Sequence, residues 1–355
     1  MELQPIEQSL TLFLIGATGD LARKKVLKAV YELYRQKLLP RRFVLLANSR
    51  KELSNKEYRE LVYEAVRPSD LKVWQEFAKT IRYVSGDVTV QETFEKIKQV
   101  HASIKECGNH LWYLATLPSL YTEVIRNIGT VGMSESRCGW TKVMLEKPFG
   151  TDFATAVELN QFLKTIFRED QIYRIDHFLA KETVQNLLAF RFANGIFEQL
   201  WRRDYVDHIQ VLASETIGLA GRGAFYEGVG TVRDVVQNHV LQLIAMTMME
   251  EPASLGAVAV NKERNKLLET LELSKEGDVG KVARFGQYRG YIKDAELPIT
   301  ESRTETAVAL ALMVNNPRWK GVPILVRAGK RLKQTTTEIS IQFKEPTNSM
   351  FKKRI

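Results

Sequence analysis

The sequence predicts an α/β chain in two parts, an N-terminal domain on a parallel sheet followed by an α+β domain with a mainly antiparallel sheet. Three observations carry this. Residues 10 to 150 alternate short β-rich runs with longer helical patterns, the signature of βαβ units. After Gly150 the texture changes to long helical patterns at 152–167, 177–192 and 231–249. Later runs alternate apolar with polar or small residues, which suits strands that pack one face on helices and leave the other freer. The boundary is therefore expected near 150, giving domains 1–150 and 151–355.

In the first part "LTLFLI" opens the sheet and is followed by a helix from Leu21 to Lys37. The strands "RFVLLA" and "IRYVSG", a helix from Gln91, and the strands "HLWYLA" and "TKVMLE" come next. In the second part "YVDHIQVLASE", "TAVALALMV" and "EISIQFK" alternate. In the last of these Ile339, Ile341 and Phe343 share one face while Ser340 and Gln342 share the other.

With 355 residues, 45% apolar and 26% charged, the chain has room for two cores and is not of disordered composition. Glu2 and Glu7 precede a short apolar run, unlike the basic start of a secretory signal, and no apolar run reaches bilayer length. Cys107 and Cys138, the two cysteines, lack metal-binding spacing. A cytoplasmic, reducing setting without a metal site or a membrane partner is the expectation. The net charge is +9 and the pI about 9.3, but Lys and Arg are dispersed, which argues against a nucleic-acid partner. A positive field does favour small anions such as phosphates.

The run "LFLI" leads into "GATGDLARKK", with Gly16, Gly19 and Ala22 at G-x-x-G-x-x-A spacing before a helix. Small residues there let the backbone approach a pyrophosphate at the helix N-terminus, the Rossmann-like dinucleotide pattern, although glycines also serve plain turns. The second strand ends in "LLANSRK". Where an NAD enzyme usually carries an acid for the ribose diol, Ser49, Arg50 and Lys51 offer a hydroxyl and two cations suited to a 2′-phosphate, so NADP is the expected cofactor. Lys147, in "VMLEKPFG", follows the strand "TKVMLE", at the end of the sheet where ligands gather.

The stretch "RIDHFLAKETVQNLLAFRFAN" crowds Asp176, His177, Lys181 and Glu182 before an apolar helical pattern. On a helix His177 and Lys181, four apart, share a face on which two donors converge on one anion, while helix capping is the alternative reading. In "GVGTVRDVVQNHVLQLIAM", His239 shares a face with Val232, Val235, Val236 and Leu243. That pattern suits a buried, hydrogen-bonded histidine as well as a catalytic one. Asp234 and Asn238 form a polar edge beside it.

Together "GATGDLARKK", "LEKPFG", "RIDHFLAKETVQNLLAFRFAN", "RDVVQNH" and "GVPILVRAGKRL", in this order, resemble the glucose-6-phosphate dehydrogenase family from about Leu10 to Phe343. The resemblance implies oxidation of glucose 6-phosphate by NADP to 6-phosphoglucono-δ-lactone. His239 would be the base that takes the anomeric hydroxyl proton, and Asp176 the group that holds its imidazole; a histidine with an ordinary pKa near 6.5 suits that task at neutral pH. It further implies that His177 and Lys181 bind the substrate phosphate, Lys147 and Lys330 the sugar and its reacting end, and Glu215 and Asp234 the sugar hydroxyls. In the cofactor site it points to Gly16, Thr18, Gly19, Asp20, Leu21, Ser49, Arg50 and Lys147, with Lys25 near the shared cleft. A homodimer or homotetramer through an intact second sheet is implied as well.

Departures from the family pattern are Phe178 and Ala180, where tyrosine and glycine are usual, and Thr335, where a second cation is usual. The family's chains also continue further, so the second domain is expected to be incomplete and its last strand to be left at or near an edge. Rival readings are a related sugar dehydrogenase and a non-catalytic NADP-binding regulator or assembly partner.

Overall fold

The computed structural model describes residues 7–104, 108–150, 152–176, 179, 182–273 and 279–345. They form two compact units, residues 1–175 and 176–355. The first carries a parallel six-stranded sheet in the order β3-β2-β1-β4-β5-β6. Its strands are β1 (Leu10–Ile15), β2 (Phe43–Ser49), β3 (Ile81–Ser85), β4 (Asn109–Leu114), β5 (Thr141–Leu145) and β6 (Ile172–Arg174). β1 is buried along its whole length, as a central parallel strand covered on both faces must be. The unit ends beyond the boundary expected near 150 because β6, after the helix Phe153–Lys164, pairs in parallel with β5. Three residues were too short a run to show as a strand in the sequence.

Registers of β1, β2, β4 and β5 bring Ile15, Asn48, Leu114 and Leu145 level, so the residues that follow them gather at one edge of the sheet. After β1 the expected helix divides into a π-type turn, Ala22–Val26, and an α-helix, Leu27–Arg35. Helices Asn55–Val66, Leu71–Lys79 and Tyr121–Thr130 add to the helix Gln91–Ser103 around the sheet. Ser54 and Glu57 make a reciprocal capping box at the start of Asn55–Val66, a signal present in the sequence as Ser-x-x-Glu. Cys138 is disulfide-bonded; the chain's other cysteine lies outside the described residues.

Behind β1 two histidines share the core. His110 packs edge-on against Phe13, and its ring centre lies 4.7 Å from that of His101. Burial, then the neighbouring His101, pushes His110 down to about 4, and burial lowers His101 as well. A histidine whose folded value is depressed holds full stability above its unfolded value near 6.5 and loses it as pH falls toward the folded value. We expect the urea midpoint to fall between pH 6.5 and about 4, by the equivalent of roughly 3 kcal/mol from His110 alone. In His110→Phe the same titration should be clearly shallower; an equally steep fall there would show that other groups dominate acid lability.

The second unit holds a mixed, mostly antiparallel sheet in the order β12-β7-β11-β10-β8, with β9 also on β10. Its strands are β7 (Val206–Ser214), β8 (Leu271–Leu273), β9 (Ala283–Gly286), β10 (Ala307–Val314), β11 (Ile324–Gly329) and β12 (Thr336–Phe343). The alternation read in the sequence has a physical counterpart. Ile209, Val211, Val308, Leu312, Ile324 and Val326 are buried in one core with Val184, Val236, Leu243 and Val260 of the helices. Ile339 and Ile341 pack against this core, and Phe343, 38% exposed, lies beyond a register shift after which it pairs with Val206. Among the described residues β12 is the last strand of the sheet on one side, paired with β7.

The helix expected over 231–249 is also two pieces, a π-type turn Val232–Val240 and an α-helix Leu241–Met248. Leu241 N–H donates to the Val236 carbonyl five residues back. The far end is held by Arg191 of the helix Glu182–Phe192. Its fully buried guanidinium donates to the carbonyls of Met246 (3.2 Å) and Met249 (2.8 Å) and to Glu198 (3.0 Å). Burial lowers Arg191 to about 10, partly offset by Glu198. A cation on the last carbonyls of a helix also complements its dipole.

Candidate active site

A cleft of about 620 Å³ opens at the carboxyl ends of the first sheet. It is lined by Gly16, Thr18, Gly19, Asp20 and Leu21 from the first loop, Ser49, Arg50 and Lys51 after β2, and Glu146 and Lys147 after β5. Gly16 is required by geometry. Its φ is +84°, and a Cβ there would lie 2.5 Å from the Ala115 carbonyl oxygen. The N–H groups of Gly16 and Ala17 both donate to the Asn48 carbonyl at 2.9 Å, stitching the loop to β2. Of the expected cofactor residues only Lys25 stands apart, exposed on the π-type turn and outside the cleft lining.

Ser49 is buried and braced. Thr18 Oγ1 donates to Ser49 Oγ at 3.0 Å, Ser49 Oγ lies 2.8 Å from the Tyr83 hydroxyl, and that hydroxyl donates to the Lys51 carbonyl at 2.5 Å. This chain ties the glycine loop to the end of β2 and leaves Arg50 and Lys51 exposed at the rim. Asp87, in the same lining, is lowered first by the Thr89 backbone bond and in smaller part by Arg50. An exposed cation pair with no acid at the end of β2 fits a 2′-phosphate better than a ribose diol.

Glu146 was overlooked in the sequence. Its carboxylate accepts the Tyr113 hydroxyl at 2.5 Å and its carbonyl accepts the Tyr121 hydroxyl at 2.9 Å. Burial, then the Glu146 bond, pushes the Tyr113 phenol up, so it remains a donor. The two tyrosines thus hold the residue before Lys147, whose bond to Pro148 is cis. The local signal, a Tyr-x₇-Tyr spacing from the end of β4 to the start of the helix Tyr121–Thr130, is too general to read.

In the second unit His239 and Asp176 meet. The His239 Nδ1 and Asp176 Oδ1 are 3.0 Å apart, and both side chains are about 10% exposed. An ionised carboxylate only accepts, so the imidazole proton sits on Nδ1 and Nε2 is the basic nitrogen. Arg264 of the helix Ala257–Glu269, also overlooked, stands within electrostatic reach: burial lowers its guanidinium and the Asp176 carboxylate partly offsets that.

A second cluster joins Lys330, Glu215 and Asp234. The Lys330 ammonium, with 2% of its side chain exposed, lies 2.5 Å from Glu215 Oε2 and 3.7 Å from Asp234 Oδ2. Glu215 follows β7 and Lys330 follows β11, and these two strands pair in parallel with Ser214 opposite Gly329. Their carboxyl ends therefore sit side by side. Asp234 and His239 are five residues apart on the π-type turn, where i→i+5 bonding stacks such residues one above the other. An α-helix would have turned them apart.

Asn238, read as part of the polar edge, instead donates to the Arg233 carbonyl of its own helix at 2.9 Å. Thr335 Oγ1 accepts the Thr216 N–H at 2.9 Å and so links the ends of β7 and β12. His177, Phe178, Ala180 and Lys181 lie outside the described residues. Among the described residues no group of three or more His, Cys, Asp or Glu is placed to hold a metal ion, and no helix is long and apolar enough to cross a membrane.

Comparison with known proteins places these features in context. The family profile "Glucose-6-phosphate dehydrogenase, NAD binding domain" matches residues 13–186, and "Glucose-6-phosphate dehydrogenase, C-terminal domain" matches 188–355. The chain is 38% identical to glucose-6-phosphate 1-dehydrogenase 2 of Mycobacterium tuberculosis over 96% of its own length and 70% of that protein's. It is 36% identical to the glucose-6-phosphate 1-dehydrogenase of Chlamydia muridarum, covering 96% and 71%. A crystal structure of the Mycobacterium avium enzyme superposes with TM-score 0.85 at 34% identity, covering 98% of this chain and 75% of that one. A glucose-6-phosphate dehydrogenase in complex with glucose 6-phosphate gives TM-score 0.88 at 33% identity, covering 99% and 74%. Both halves of the sequence, and the fold of both units, thus lead to one conclusion: this chain belongs to the glucose-6-phosphate dehydrogenase family.

Proposed function

We infer that this chain oxidises glucose 6-phosphate at C1 with NADP, giving 6-phosphoglucono-δ-lactone and NADPH. The observation that carries the reading is the buried His239–Asp176 pair, with His239 on the helix that also presents Asp234 to Lys330. Bound NADP supplies the hydride acceptor. In this reading His239 Nε2 takes the O1 proton as the C1 hydride leaves, and Asp176 stabilises the imidazolium that forms. Glu215 and Asp234 accept from sugar hydroxyls, while Lys330 holds the two carboxylates together and reaches the sugar. His177 and Lys181 take the phosphate, and Lys147 serves the reacting end. Arg50, with the loop Gly16 to Leu21 that Ser49 braces through Thr18, holds the cofactor.

The test is NADPH formation at 340 nm by the purified chain with glucose 6-phosphate and NADP, with glucose and NAD as parallel controls. Turnover that needs both phosphates supports the reading; cofactor binding without turnover would sink it in favour of a regulatory protein. In the same assay Arg50→Ala should raise KM for NADP about tenfold or more and leave KM for NAD nearly unchanged, the cost of one charge-assisted phosphate contact. Equal KM changes for both cofactors would exclude Arg50 from 2′-phosphate recognition.

A homodimer or homotetramer through the second sheet belongs to the same reading. It is supported by Leu325 and Phe285, 41% and 57% exposed on that sheet, and sedimentation velocity decides it. A cytoplasmic setting is supported by similarity to a cytoplasmic relative from Arabidopsis thaliana, although a chloroplastic relative from the same plant matches equally well. Fractionation of the source cells decides between compartments.

A further inference from the structure

Behind the Lys330 cluster lies a layer of contacts that has no part in the chemistry described above. The Lys330 ammonium stands 5.3 Å from the centre of the Tyr226 ring. The Tyr226 hydroxyl lies 2.6 Å from Thr231 Oγ1 and donates to the Glu305 carbonyl at 3.2 Å. That carbonyl also accepts the Thr231 N–H at 3.0 Å, and the Glu305 carboxylate accepts the Val232 N–H at 3.0 Å. The next residue, Thr306, accepts the Lys330 backbone N–H at 2.9 Å. Two consecutive residues therefore hold both the start of the helix that carries Asp234 and the backbone of Lys330.

Several details show that this is a built connection. Thr231, at the helix start, makes no side-chain cap of its own; its hydroxyl is engaged by Tyr226, and the cap comes from Glu305 on another segment. Gly230 has φ +71°, and a Cβ there would lie 2.3 Å from both carboxylate oxygens of Glu305, so glycine leaves the room that the cap occupies. Tyr226 and Thr231 are 2% and 0% exposed, which bars water from replacing their bonds. The Lys330 side chain is just as enclosed, and a 3.7 Å separation from Asp234 in such a setting responds steeply to small shifts of the helix start.

We propose that Tyr226, Thr231 and Glu305 are positioning residues for the sugar subsite, setting the distance between Asp234 and Lys330. This rests on the assignment of Lys330 and Asp234 to the sugar in the reading above. The consequence is a selective one: loss of the brace raises KM for glucose 6-phosphate and leaves the NADP site, built on other residues, undisturbed.

Initial rates of the full chain against each substrate, with thermal unfolding in parallel, test this in the wild type, Glu305→Ala, Glu305→Gln and Tyr226→Phe. Glu305→Ala should raise KM for glucose 6-phosphate about tenfold and lower kcat a few-fold, with KM for NADP within about twofold. Glu305→Gln, which keeps an acceptor oxygen, should recover most of the loss, and Tyr226→Phe should give about a threefold rise in the same KM. Wild-type KM for glucose 6-phosphate in both Glu305→Ala and Tyr226→Phe, or equal losses for the two substrates, would overturn the proposal. If Glu305→Ala does not fold, Tyr226→Phe decides alone, since it keeps the ring and its packing. A wild-type chain without turnover removes the functional reading and this inference with it; an active wild type with unaffected variants removes the inference only.

Discussion

Replacing His239 with alanine lowers kcat about a thousandfold while KM for NADP stays within twofold, the loss expected for a general base, roughly 4 kcal/mol of transition-state stabilisation. The ring is buried, its Nδ1 is fixed 3.0 Å from Asp176, and its helix is tied at both ends, by Glu305 at Val232 and by Arg191 at Met246 and Met249. A residue so constrained has little orientation left to lose when substrate arrives, which is what preorganised proton transfer requires. Alanine keeps the helix and its flanking Val236 and Val240 in place, so the fold should survive. Steady-state kinetics at saturating NADP measure the effect. A kcat within fivefold of wild type would mean that another group takes the proton.

The second large effect is Asp176→Asn, expected to lower kcat by about 10² to 10³-fold with little change in size or packing. Two causes act together. The neutral amide no longer stabilises the imidazolium that forms as the proton is taken. It also presents N–H donors to Nδ1, which favours the tautomer with the proton on Nε2 and removes the basic nitrogen. The Arg264 guanidinium, which Asp176 partly compensates, is left near an uncharged group and adds to the cost. Equal kcat in the two proteins would reduce Asp176 to a structural role.

Much of the first unit was legible because its information is local. The run "LTLFLI" is apolar throughout and is a central strand; the Gly16 spacing precedes a helix and sits where only glycine fits. The missing acid after β2 is visible as "NSRK", and Arg50 and Lys51 do line the cleft. What escaped were elements too short or too ordinary to stand out, such as β6 and the tyrosines on Glu146. Ser49 shows the limit of reading residue type alone, since its hydroxyl is engaged with Thr18 and Tyr83 inside the protein.

For the second unit the sequence by itself determined the alternating strands, the apolar helix faces and, through several motifs in fixed order, the family. Their constellation needed the tertiary structure. Asp176 and His239 are 63 residues apart and Glu215 and Lys330 are 115 apart, and they meet because of how sheet and helices pack. No local period announces that β7 and β11 pair in parallel, yet that pairing sets Glu215 beside Lys330. Nor does composition show that residues 232–240 wind as a π-type turn, which turns Asp234 to the side of His239 where an α-helix would part them. Hydrophobic periodicity reports which face of an element is buried. Which polar groups then share a site depends on strand register and helix winding, and both are settled by contacts distant in sequence.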